Sequence, residues 1–452
     1  MLPLTLQEVA DACAGRLEGG DPQRLVRGVS TDSRRLARGD LFVGLRGEQF
    51  DGDAHAAQAL AAGAVAVMVG AAAARALPGA PSIVVDDGRA ALQRLAASVR
   101  RRSGVKVVAV TGSAGKTATK DILAALLRPV ARTIATSGNL NNEIGVPLTL
   151  LGIQSDTEVV VVEMGMRGRG QIRELARIAA PDVGIITTIA PVHLELMGTM
   201  ADVAAAKAEL LGELGGGTAI VPGDEPLLTE HVERCRGRVV TFDAPGADVR
   251  LVDEERHGER TKVTVQAFGR RGQLDFNFTG RHYLHDALAA LAAFVELGYS
   301  LDQARDGAAR VAFSDLRGAV SRLPGGGLLL NDAYNANPQA MKAAIDHLVA
   351  IADGRPLVAV LGDMYELGPD AAAFHHGVGE HCAAAGVRLV AVGELARDFR
   401  TGASGESWFA TVEECLAALP EAVPAGSAVL VKASRLLRLE RVAQALEGAG
   451  DA

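Results

Sequence analysis

Apolar residues follow two patterns along the chain, and the clearest change between them lies near residue 107. A continuous run of small and β-branched residues, Val107 to Val110, predicts a buried parallel strand. The run ends at Gly112, and after Gly115 the apolar spacing becomes that of a helix, which we expect from Thr117 to Leu127. A strand, a glycine-rich turn and a helix N-terminus together are typical of a phosphate site, because backbone N–H groups and the positive helix end face the anion.

Strand and helix patterns alternate on both sides of this segment. Their alternation from about residue 104 to residue 310 predicts a doubly wound, mostly parallel sheet. Short strands, turns and one helix before it favour a small α/β unit, and strand–helix pairs after it favour a smaller Rossmann-like unit. The predicted fold class is therefore α/β with three domains, at residues 1–100, 101–312 and 313–452.

Three segments depart from this alternation. Short alternating runs between residues 239 and 278 predict a β-hairpin appended to the central domain. The most apolar stretch, Ala59 to Ala74, contains two glycines and is followed by Arg75, so it predicts a helix end and a short strand rather than a membrane span. We interpret the arginines at positions 100 to 102 as a solvated linker rather than a binding patch.

Composition narrows the class of protein further. Of the 452 residues, 48% are hydrophobic and 4% aromatic, so the cores must be built from Ala, Val and Leu. A net charge of −8 gives a nucleic-acid partner no support. We recognise no signal peptide. The cysteines are far apart and lack metal-ligand spacing, so we expect free thiols in a reducing cytoplasm: Cys13, Cys235, Cys382 and Cys415.

Candidate catalytic groups lie where the predicted central strands end. Lys116 can reach the terminal phosphates of a nucleotide, and the Thr117 hydroxyl can ligate its Mg²⁺. Their Gly-x-x-Gly-Lys-Thr spacing is two residues shorter than the common phosphate loop, so the motif alone also fits an ordinary glycine turn. Glu163 follows the next buried strand. Because ligands of open α/β sheets bind beyond the carboxyl ends of strands, this carboxylate is a natural Mg²⁺ ligand.

Two further residues have both a functional and a structural interpretation. His193 follows the strand predicted from Val183 to Thr188 and lies at the same sheet edge, where a metal or phosphate role and a structural role are equally supported. Lys207 lies in the helix predicted from Met200 to Leu214, and its alanine-rich surroundings alone favour a solvent-exposed lysine.

Polar residues in two other segments could contact a substrate. The segment from Gly138 to Pro147 has three asparagines within four residues, which offer amide groups to a polar ligand or make turns. In the N-terminal unit, Ser33, Arg34 and Arg46 could hold a diphosphate or a sugar, although such residues are more often turn and surface residues.

Six motifs follow one another over nearly the whole chain. They are Thr111-Gly-Ser-Ala-Gly-Lys-Thr117, Gly138-Asn-Leu-Asn-Asn-Glu-Ile-Gly-Val-Pro147, Val162-Glu-Met-Gly-Met166, His193-Leu-Glu195, Asn331-Asp-Ala-Tyr-Asn-Ala-Asn-Pro338 and Leu361-Gly-Asp-Met-Tyr-Glu-Leu-Gly368. In this order the chain resembles the Mur ligases of bacterial cell-wall synthesis. The second and fifth motifs are similar to the branch of that family that adds D-alanyl-D-alanine.

The resemblance implies an activity and a role for each domain. ATP would phosphorylate the C-terminal carboxylate of UDP-N-acetylmuramoyl-tripeptide, and the amine of D-alanyl-D-alanine would attack the acyl phosphate, giving an amide, ADP and phosphate. The first domain would hold the UDP part, the second would hold ATP with Mg²⁺, and the third would bring the dipeptide and close over ATP. We expect a cytoplasmic monomer with no nucleic-acid partner and no membrane span.

The resemblance also implies roles for individual residues. Catalytic roles fall to Lys116, Glu163, His193 and Lys207. Mg²⁺ would be held by Thr117, Glu163, His193 and Lys207, the last as a carbamate that supplies oxygen ligands. ATP contacts fall to Gly112, Ser113, Ala114, Gly115, Lys116, Thr117, Asp332, Tyr334 and Asn335. Contacts with the other substrates are expected from Ser33, Arg34, Arg46, Asn139, Asn141, Asn142, Lys432, Ser434 and Arg435.

Some positions depart from the family pattern. Tyr283 and Asp286 stand where the family usually has asparagines, in a region near adenine in relatives. Arg317 and Arg322 both fit the arginine that precedes the third-domain loop.

Two other functions stay open. One alternative is a ligase that adds diaminopimelate, lysine or another amino acid, or a folylpolyglutamate synthetase, which would share the nucleotide site. The asparagine-rich loop favours the addition of D-alanyl-D-alanine over this alternative. A nucleotide-binding switch would hydrolyse ATP slowly without an amine acceptor, and it gives Lys207 and the N-terminal domain no role.

Overall fold

Three α/β units follow one another in the computed structural model, which describes residues 1–47, 50–402 and 405–448. The strands of the first unit are β1 Leu4–Thr5, β2 Arg16–Glu18, β3 Leu25–Val26, β4 Gly28–Ser30, β5 Asp40–Val43, β6 Ala66–Val69 and β7 Ser82–Val84, and its helices are α1 Leu6–Cys13, α2 Ala56–Ala61, α3 Ala71–Arg75 and α4 Gly88–Arg102. A sheet forms in the order β2-β7-β6-β5-β4, and β1 pairs with β3.

The second unit contains a nine-stranded sheet. Its strands are β8 Lys106–Thr111, β9 Thr133–Ala135, β10 Val159–Glu163, β11 Val183–Ile186, β12 Thr218–Pro222, β13 Arg238–Phe242, β14 Val249–His257, β15 Arg260–Ala267 and β16 Arg270–Phe276. Its helices are α5 Lys116–Leu127, α6 Gly145–Leu151, α7 Gln171–Ala179, α8 Leu194–Met197, α9 Met200–Gly212, α10 Thr229–Glu233, α11 His282–Glu296 and α12 Arg305–Ala308. The order is β16-β15-β14-β13-β12-β11-β8-β10-β9, and every pair from β13 to β9 is parallel.

The third unit has a six-stranded sheet in which one edge strand is antiparallel. Its strands are β17 Ala319–Arg322, β18 Leu328–Asn331, β19 Leu357–Gly362, β20 Arg388–Val392, β21 Ser407–Phe409 and β22 Ala428–Lys432, and its helices are α13 Pro338–Ile351, α14 Ala371–Ala384, α15 Val412–Ala422 and α16 Glu440–Gly448. The order is β17-β18-β22-β19-β20-β21, with only the β17–β18 pair antiparallel. Residues 449–452 of the expected third domain lie outside the described residues.

The central strand β8 contributes to two hydrophobic cores, which explains its uninterrupted apolar sequence. Val107 and Ala109 pack with helices α6, α7 and α9 and with the first unit, whereas Val108 and Val110 pack with α5 and α11. In the parallel register Glu163 lies beside Val110, so the carboxyl ends of β8 and β10 meet at one edge of the sheet. This edge is where open α/β sheets bind ligands.

Two helix starts near this edge follow local sequence signals. Thr199 and Asp202 form a reciprocal capping box at the start of α9. Asn337 caps α13, which begins at Pro338 as expected. Helix α5 instead starts after Gly115 with no side-chain cap, so its first N–H groups remain available to a ligand.

The structure confirms the α/β class and the three-domain architecture, and it corrects two local predictions and extends a third. The segment expected as an appended hairpin is a three-stranded antiparallel extension, β14 to β16, that joins the central sheet through the pair Phe242 and Val249. The apolar stretch at 59–74 contains the expected helix end and strand, in α2 and β6, and they are followed by a further helix, α3. The arginines at 100–102 end helix α4, where Arg100 forms an ion pair with Asp182 at 3.0 Å rather than belonging to a solvated linker. The domain boundaries stay predictions.

Candidate active site

Two glycines give the phosphate loop its shape. Gly112 and Gly115 have positive φ angles of 151° and 80°, a region that residues with a Cβ rarely adopt. A Cβ at Gly112 would lie 1.9 Å from the Thr187 hydroxyl oxygen, and one at Gly115 would lie 2.1 Å from a carboxylate oxygen of Asp286. The loop therefore requires glycine at both positions, as its neighbours leave no room for a side chain.

Hydrogen-bond donors of the loop face a cavity of about 550 Å³, whose lining includes Ser113, Lys116 and Thr117. The Ser113 hydroxyl is buried and has no partner within the described residues. The Lys116 amine donates to the Gly112 carbonyl oxygen at 2.8 Å, and burial lowers the pKa of Lys116 below its usual value. An unpaired hydroxyl, a buried amine and an uncapped helix end are groups that an anion would satisfy.

Glu163 links the phosphate loop to the asparagine-rich segment. The Thr117 hydroxyl donates to one carboxylate oxygen of Glu163 and the Asn141 amide donates to the other, each at 2.7 Å. Glu163 is only 2% exposed, so these two bonds hold a buried carboxylate in place. The structure thus brings together three residues that were predicted separately.

Lys207 is buried, in contrast to what its local pattern favours. It is 2% exposed, and its amine donates to the Gly112 carbonyl oxygen at 3.0 Å, the same oxygen that accepts from Lys116. Burial and the neighbouring Lys116 charge lower the pKa of Lys207 well below its usual value. The structure therefore favours a neutral amine at this position.

His193 lies in the loop between β11 and α8 and contacts the third domain. Its Nδ1 atom hydrogen-bonds to the carboxylate of Glu366. Burial lowers the pKa of His193, an effect that the Glu366 carboxylate opposes and that the charge of Lys116 reinforces. His193 is therefore within electrostatic reach of the phosphate loop, and its second ring nitrogen is left free of the Glu366 contact.

A histidine and two carboxylates line the cavity beside the phosphate loop. His285 hydrogen-bonds to the Asp243 carboxylate at 2.6 Å and to the Thr187 carbonyl oxygen at 3.0 Å. Burial would lower the pKa of His285, but the hydrogen bond to Asp243 and the charge of Asp286 raise it to about 8. Burial raises the pKa of Asp286 to about 7. These groups give the cavity wall a charge that changes near neutral pH.

The third domain contributes an ion pair with a buried lysine to the same cavity. The Lys432 amine contacts the Asp332 carboxylate and donates to the Asn335 carbonyl oxygen at 2.9 Å. All three residues line the cavity together with the phosphate loop. Lys432 therefore lies in the same cavity as the phosphate loop.

Other residues predicted in the third domain lie elsewhere. Tyr334 does not line the cavity. The guanidinium carbons of Arg317 and Arg435 lie 4.0 and 5.9 Å from the centre of its ring. Arg435 lines a second interdomain cavity of about 1120 Å³, and Arg317 lines both this cavity and the phosphate cavity. Ser434 is buried, and its hydroxyl accepts from the Tyr365 N–H at 3.0 Å.

The remaining predicted substrate residues lie outside the phosphate cavity. Asn139 is exposed, and the side-chain oxygen of Asn142 accepts from the backbone N–H groups that open α6, at 2.9 and 3.3 Å. Ser33 hydrogen-bonds to a glutamine at 3.1 Å, and Arg34 and Arg46 pair with nearby aspartates at 2.9 and 2.7 Å. The two arginines are exposed, so their guanidinium groups remain accessible to an anion.

Sequence reasoning missed Asp243, His285 and Glu366 as site residues. Only Glu366 had a signal, since it belongs to the motif from Leu361 to Gly368. Within the described part of the chain, no three His, Cys, Asp or Glu side chains are arranged to hold a metal by themselves. None of the helices described is both long and apolar enough to cross a membrane.

Comparisons with known proteins cover the whole chain. Residues 25–100 match a family model described as Mur ligase family, catalytic domain; residues 110–294 match Mur ligase middle domain; and residues 318–435 match Mur ligase, glutamate ligase domain. The chain is 34% identical over 459 residues to the UDP-N-acetylmuramoyl-tripeptide--D-alanyl-D-alanine ligase of Bacillus subtilis, covering 99% of each protein.

Two solved structures are similar along nearly their full length. A crystal structure of MurF from Acinetobacter baumannii has a TM-score of 0.89 and 31% identity, covering 98% of this chain and 99% of that one. The MurF ligase from Thermotoga maritima in complex with ADP has a TM-score of 0.82 and 29% identity, covering 93% of this chain and 97% of that one.

Proposed function

The chain belongs to the Mur ligase family, and from that premise we propose that it uses ATP to join D-alanyl-D-alanine to UDP-N-acetylmuramoyl-tripeptide. The observation that carries the proposal is full-length similarity to ligases of this one specificity, with the phosphate loop and the asparagine-rich segment joined at one buried carboxylate. The product is the UDP-linked pentapeptide precursor of peptidoglycan.

The reaction needs an activated carboxylate, because a free carboxylate is a poor acyl donor. The γ-phosphoryl group of ATP transfers to a carboxylate oxygen of the tripeptide, which gives an acyl phosphate and ADP. The dipeptide amine then attacks the carbonyl carbon, the amide bond forms, inorganic phosphate leaves and the amine loses a proton. The site must therefore bring two anions together before the first step.

The phosphate loop supplies the positive potential for this encounter. The backbone N–H groups at the start of α5 and the unpaired Ser113 hydroxyl donate to phosphate oxygens, and the Lys116 amine exchanges the Gly112 carbonyl oxygen for a phosphate. Burial strengthens each of these interactions because little water competes.

Thr117 and Glu163 fit a Mg²⁺ ion that is shared with the nucleotide. Their oxygen atoms lie 2.7 Å apart at the carboxyl edge of the sheet. Mg²⁺ usually takes one or two protein oxygens and completes its shell with phosphate and water, so a larger protein cluster is not required. When bound, the ion would neutralise phosphate charge and orient the transferring group.

Lys207 fits a carbamate that would extend this oxygen ligand set. A neutral buried amine is nucleophilic and can attack CO₂, releasing a proton and leaving an anionic carbamate beside Lys116. This places a negative group near His193, the further ligand proposed for metal at the acyl phosphate. The adjacent Lys116 charge, which disfavours an ammonium at Lys207, favours the carbamate.

The outer domains would bind the other two substrates. We assign the exposed guanidinium groups of Arg34 and Arg46, with Ser33, to the UDP part, and that of Arg435 to a peptide carboxylate. The UDP-linked substrate and the ATP requirement are those of a cytoplasmic enzyme, and we expect the chain to act as a monomer.

The test measures phosphate release from ATP with UDP-N-acetylmuramoyl-tripeptide, with and without D-alanyl-D-alanine. We expect release to require both, and mass spectrometry to detect the pentapeptide. Phosphate release that does not depend on the dipeptide but requires another amino acid would assign a different ligase specificity. Phosphate release that requires no acceptor would indicate a nucleotide switch.

A further inference from the structure

One side-chain contact joins the catalytic edge of the central domain to the third domain. Glu366, in the loop that follows β19, hydrogen-bonds through its carboxylate to Nδ1 of His193. The backbones of the two loops meet as well, because the Glu195 N–H donates to the Glu366 carbonyl oxygen at 3.4 Å. His193 belongs to the central domain and Glu366 to the third domain, so the contact exists only when the two domains are docked.

Both partners have an unusual backbone conformation. His193 and Glu366 have φ angles of 53° and 63°, the left-handed region that residues with a Cβ seldom adopt. Such conformations persist where surrounding contacts impose them, and they concentrate at functional sites. Here each loop turns its side chain toward the other, so the two strained positions produce a single contact.

Stability alone does not account for this contact. The side chains of His193 and Glu366 are 26% and 38% exposed, and an ion pair that solvent reaches adds little to folding. The contact also determines the tautomer and the orientation of the imidazole ring. A carboxylate at Nδ1 favours the tautomer with its proton on Nδ1, which leaves a lone pair on Nε2 and fixes the plane of the ring.

We propose that Glu366 is a positioning residue, which orients His193 for the reaction only when the third domain is docked. Docking then completes the active site, because the central domain supplies the imidazole and the third domain supplies the carboxylate that sets its tautomer. This inference rests on the proposed function, in which His193 acts beside the acyl phosphate. It gives the third domain a role in catalysis besides delivering the dipeptide.

The direct test examines the imidazole without metal or substrate. Side-chain nitrogen NMR of histidine-labelled protein reports which ring nitrogen carries the proton, and His193→Gln identifies the signal. We expect the Nδ1–H tautomer in the wild type and a mixture dominated by Nε2–H in Glu366→Ala. Equal tautomer populations in both proteins would overturn the proposal.

Kinetics supply the second readout. Glu366→Ala should raise the Mg²⁺ concentration for half-maximal rate about 10-fold and lower kcat by a similar factor, with KM for ATP unchanged, in line with losses of orienting partners at metal sites. Glu366→Gln should lie between it and the wild type, because an amide oxygen still accepts from Nδ1–H. An unchanged Mg²⁺ dependence in Glu366→Ala would also overturn the proposal.

A matched control separates orientation from charge and from folding. Glu195→Gln removes one negative charge from the same interface without touching His193, and it should behave as the wild type. If Glu195→Gln and Glu366→Gln are impaired equally, interface charge explains the effect and the proposal fails. Failure of the proposed function is visible separately, since the wild type would then show no dipeptide-dependent phosphate release.

Discussion

Replacing Lys207 with methionine tests whether a buried amine has been placed beside the phosphate loop for chemistry. The Lys207 and Lys116 amines both bond to the Gly112 carbonyl oxygen, at 3.0 and 2.8 Å, so the nitrogens are at most about 6 Å apart. Lys207 has no carboxylate partner among the described residues' hydrogen bonds and ion pairs. The side chain therefore gains nothing for folding from being an ammonium ion.

Coulomb's law gives the scale of the effect. Two unit charges about 6 Å apart interact by about 3 kcal/mol at an effective dielectric constant of about 20. The interaction is unfavourable for an ammonium at Lys207 and favourable for a carbamate. We expect Lys207→Met to keep or raise the free energy of unfolding, by up to about 2 kcal/mol, because it removes a buried polar group of similar volume. We expect kcat to fall at least about 100-fold, which corresponds to about 2.7 kcal/mol of transition-state stabilisation.

Denaturant unfolding and steady-state turnover measure the two effects. Lys106→Met makes the same chemical change at a residue whose side chain is 60% exposed, and it should alter stability by at most about 0.5 kcal/mol and leave turnover unchanged. Bicarbonate should restore activity to CO₂-depleted wild type but not to Lys207→Met. Normal turnover of Lys207→Met would refute the carbamate role, and a loss of stability above about 2 kcal/mol would refute the burial argument.

Three further predictions concern the walls of the same cavity. Gly115→Ala should weaken ATP binding at least about 10-fold by calorimetry, because its methyl group would lie 2.1 Å from a carboxylate oxygen at a positive φ angle, whereas Gly168→Ala, which faces open space, should bind normally. The pKa of His285 is raised from 6.5 to about 8, so its contribution to stability, at most about 2 kcal/mol, is complete below pH 6.5 and lost as the pH rises through about 8. Asp243→Asn should remove that loss in unfolding experiments at about pH 6 and pH 9, and a pH dependence equal to wild type would contradict it. Lys432→Met should lower the free energy of unfolding by about 2 kcal/mol because its partner Asp332 becomes a partly buried, unpaired carboxylate, and an unchanged melting temperature would show that the ion pair adds nothing.

The parallel part of the fold could be predicted from local patterns, whereas strand partners could not. Strand β8 is buried on both faces, so its sequence is apolar at every position from Val107 to Val110. The strands after Phe242 were also predicted, but as an appended hairpin. The alternation of apolar and polar residues indicates strands with one buried face and one exposed face. It does not indicate which sheet edge the first of these strands joins. In the structure that strand pairs with β13 through Phe242 and Val249.

Some residues of the candidate site could likewise be predicted from local sequence, whereas others depend on contacts between distant parts of the chain. The phosphate loop is a continuous segment, so its glycines and Lys116 could be found from their spacing. The burial of Lys207 could not, because α9 is rich in alanine and its sequence does not contrast a buried face with an exposed one. The Glu366 contact with His193 spans two domains, and no local pattern carries it.

The measurement that tests the central claim most directly follows oxygen through the reaction. UDP-N-acetylmuramoyl-tripeptide labelled with the heavy isotope of oxygen in its C-terminal carboxylate is incubated with ATP and D-alanyl-D-alanine, and the masses of the pentapeptide product and of the released phosphate are determined. An acyl phosphate requires one labelled oxygen to leave with the phosphate for each amide bond formed. Pentapeptide formation with unlabelled phosphate would contradict activation through an acyl phosphate, and unlabelled phosphate without pentapeptide would contradict the ligase itself.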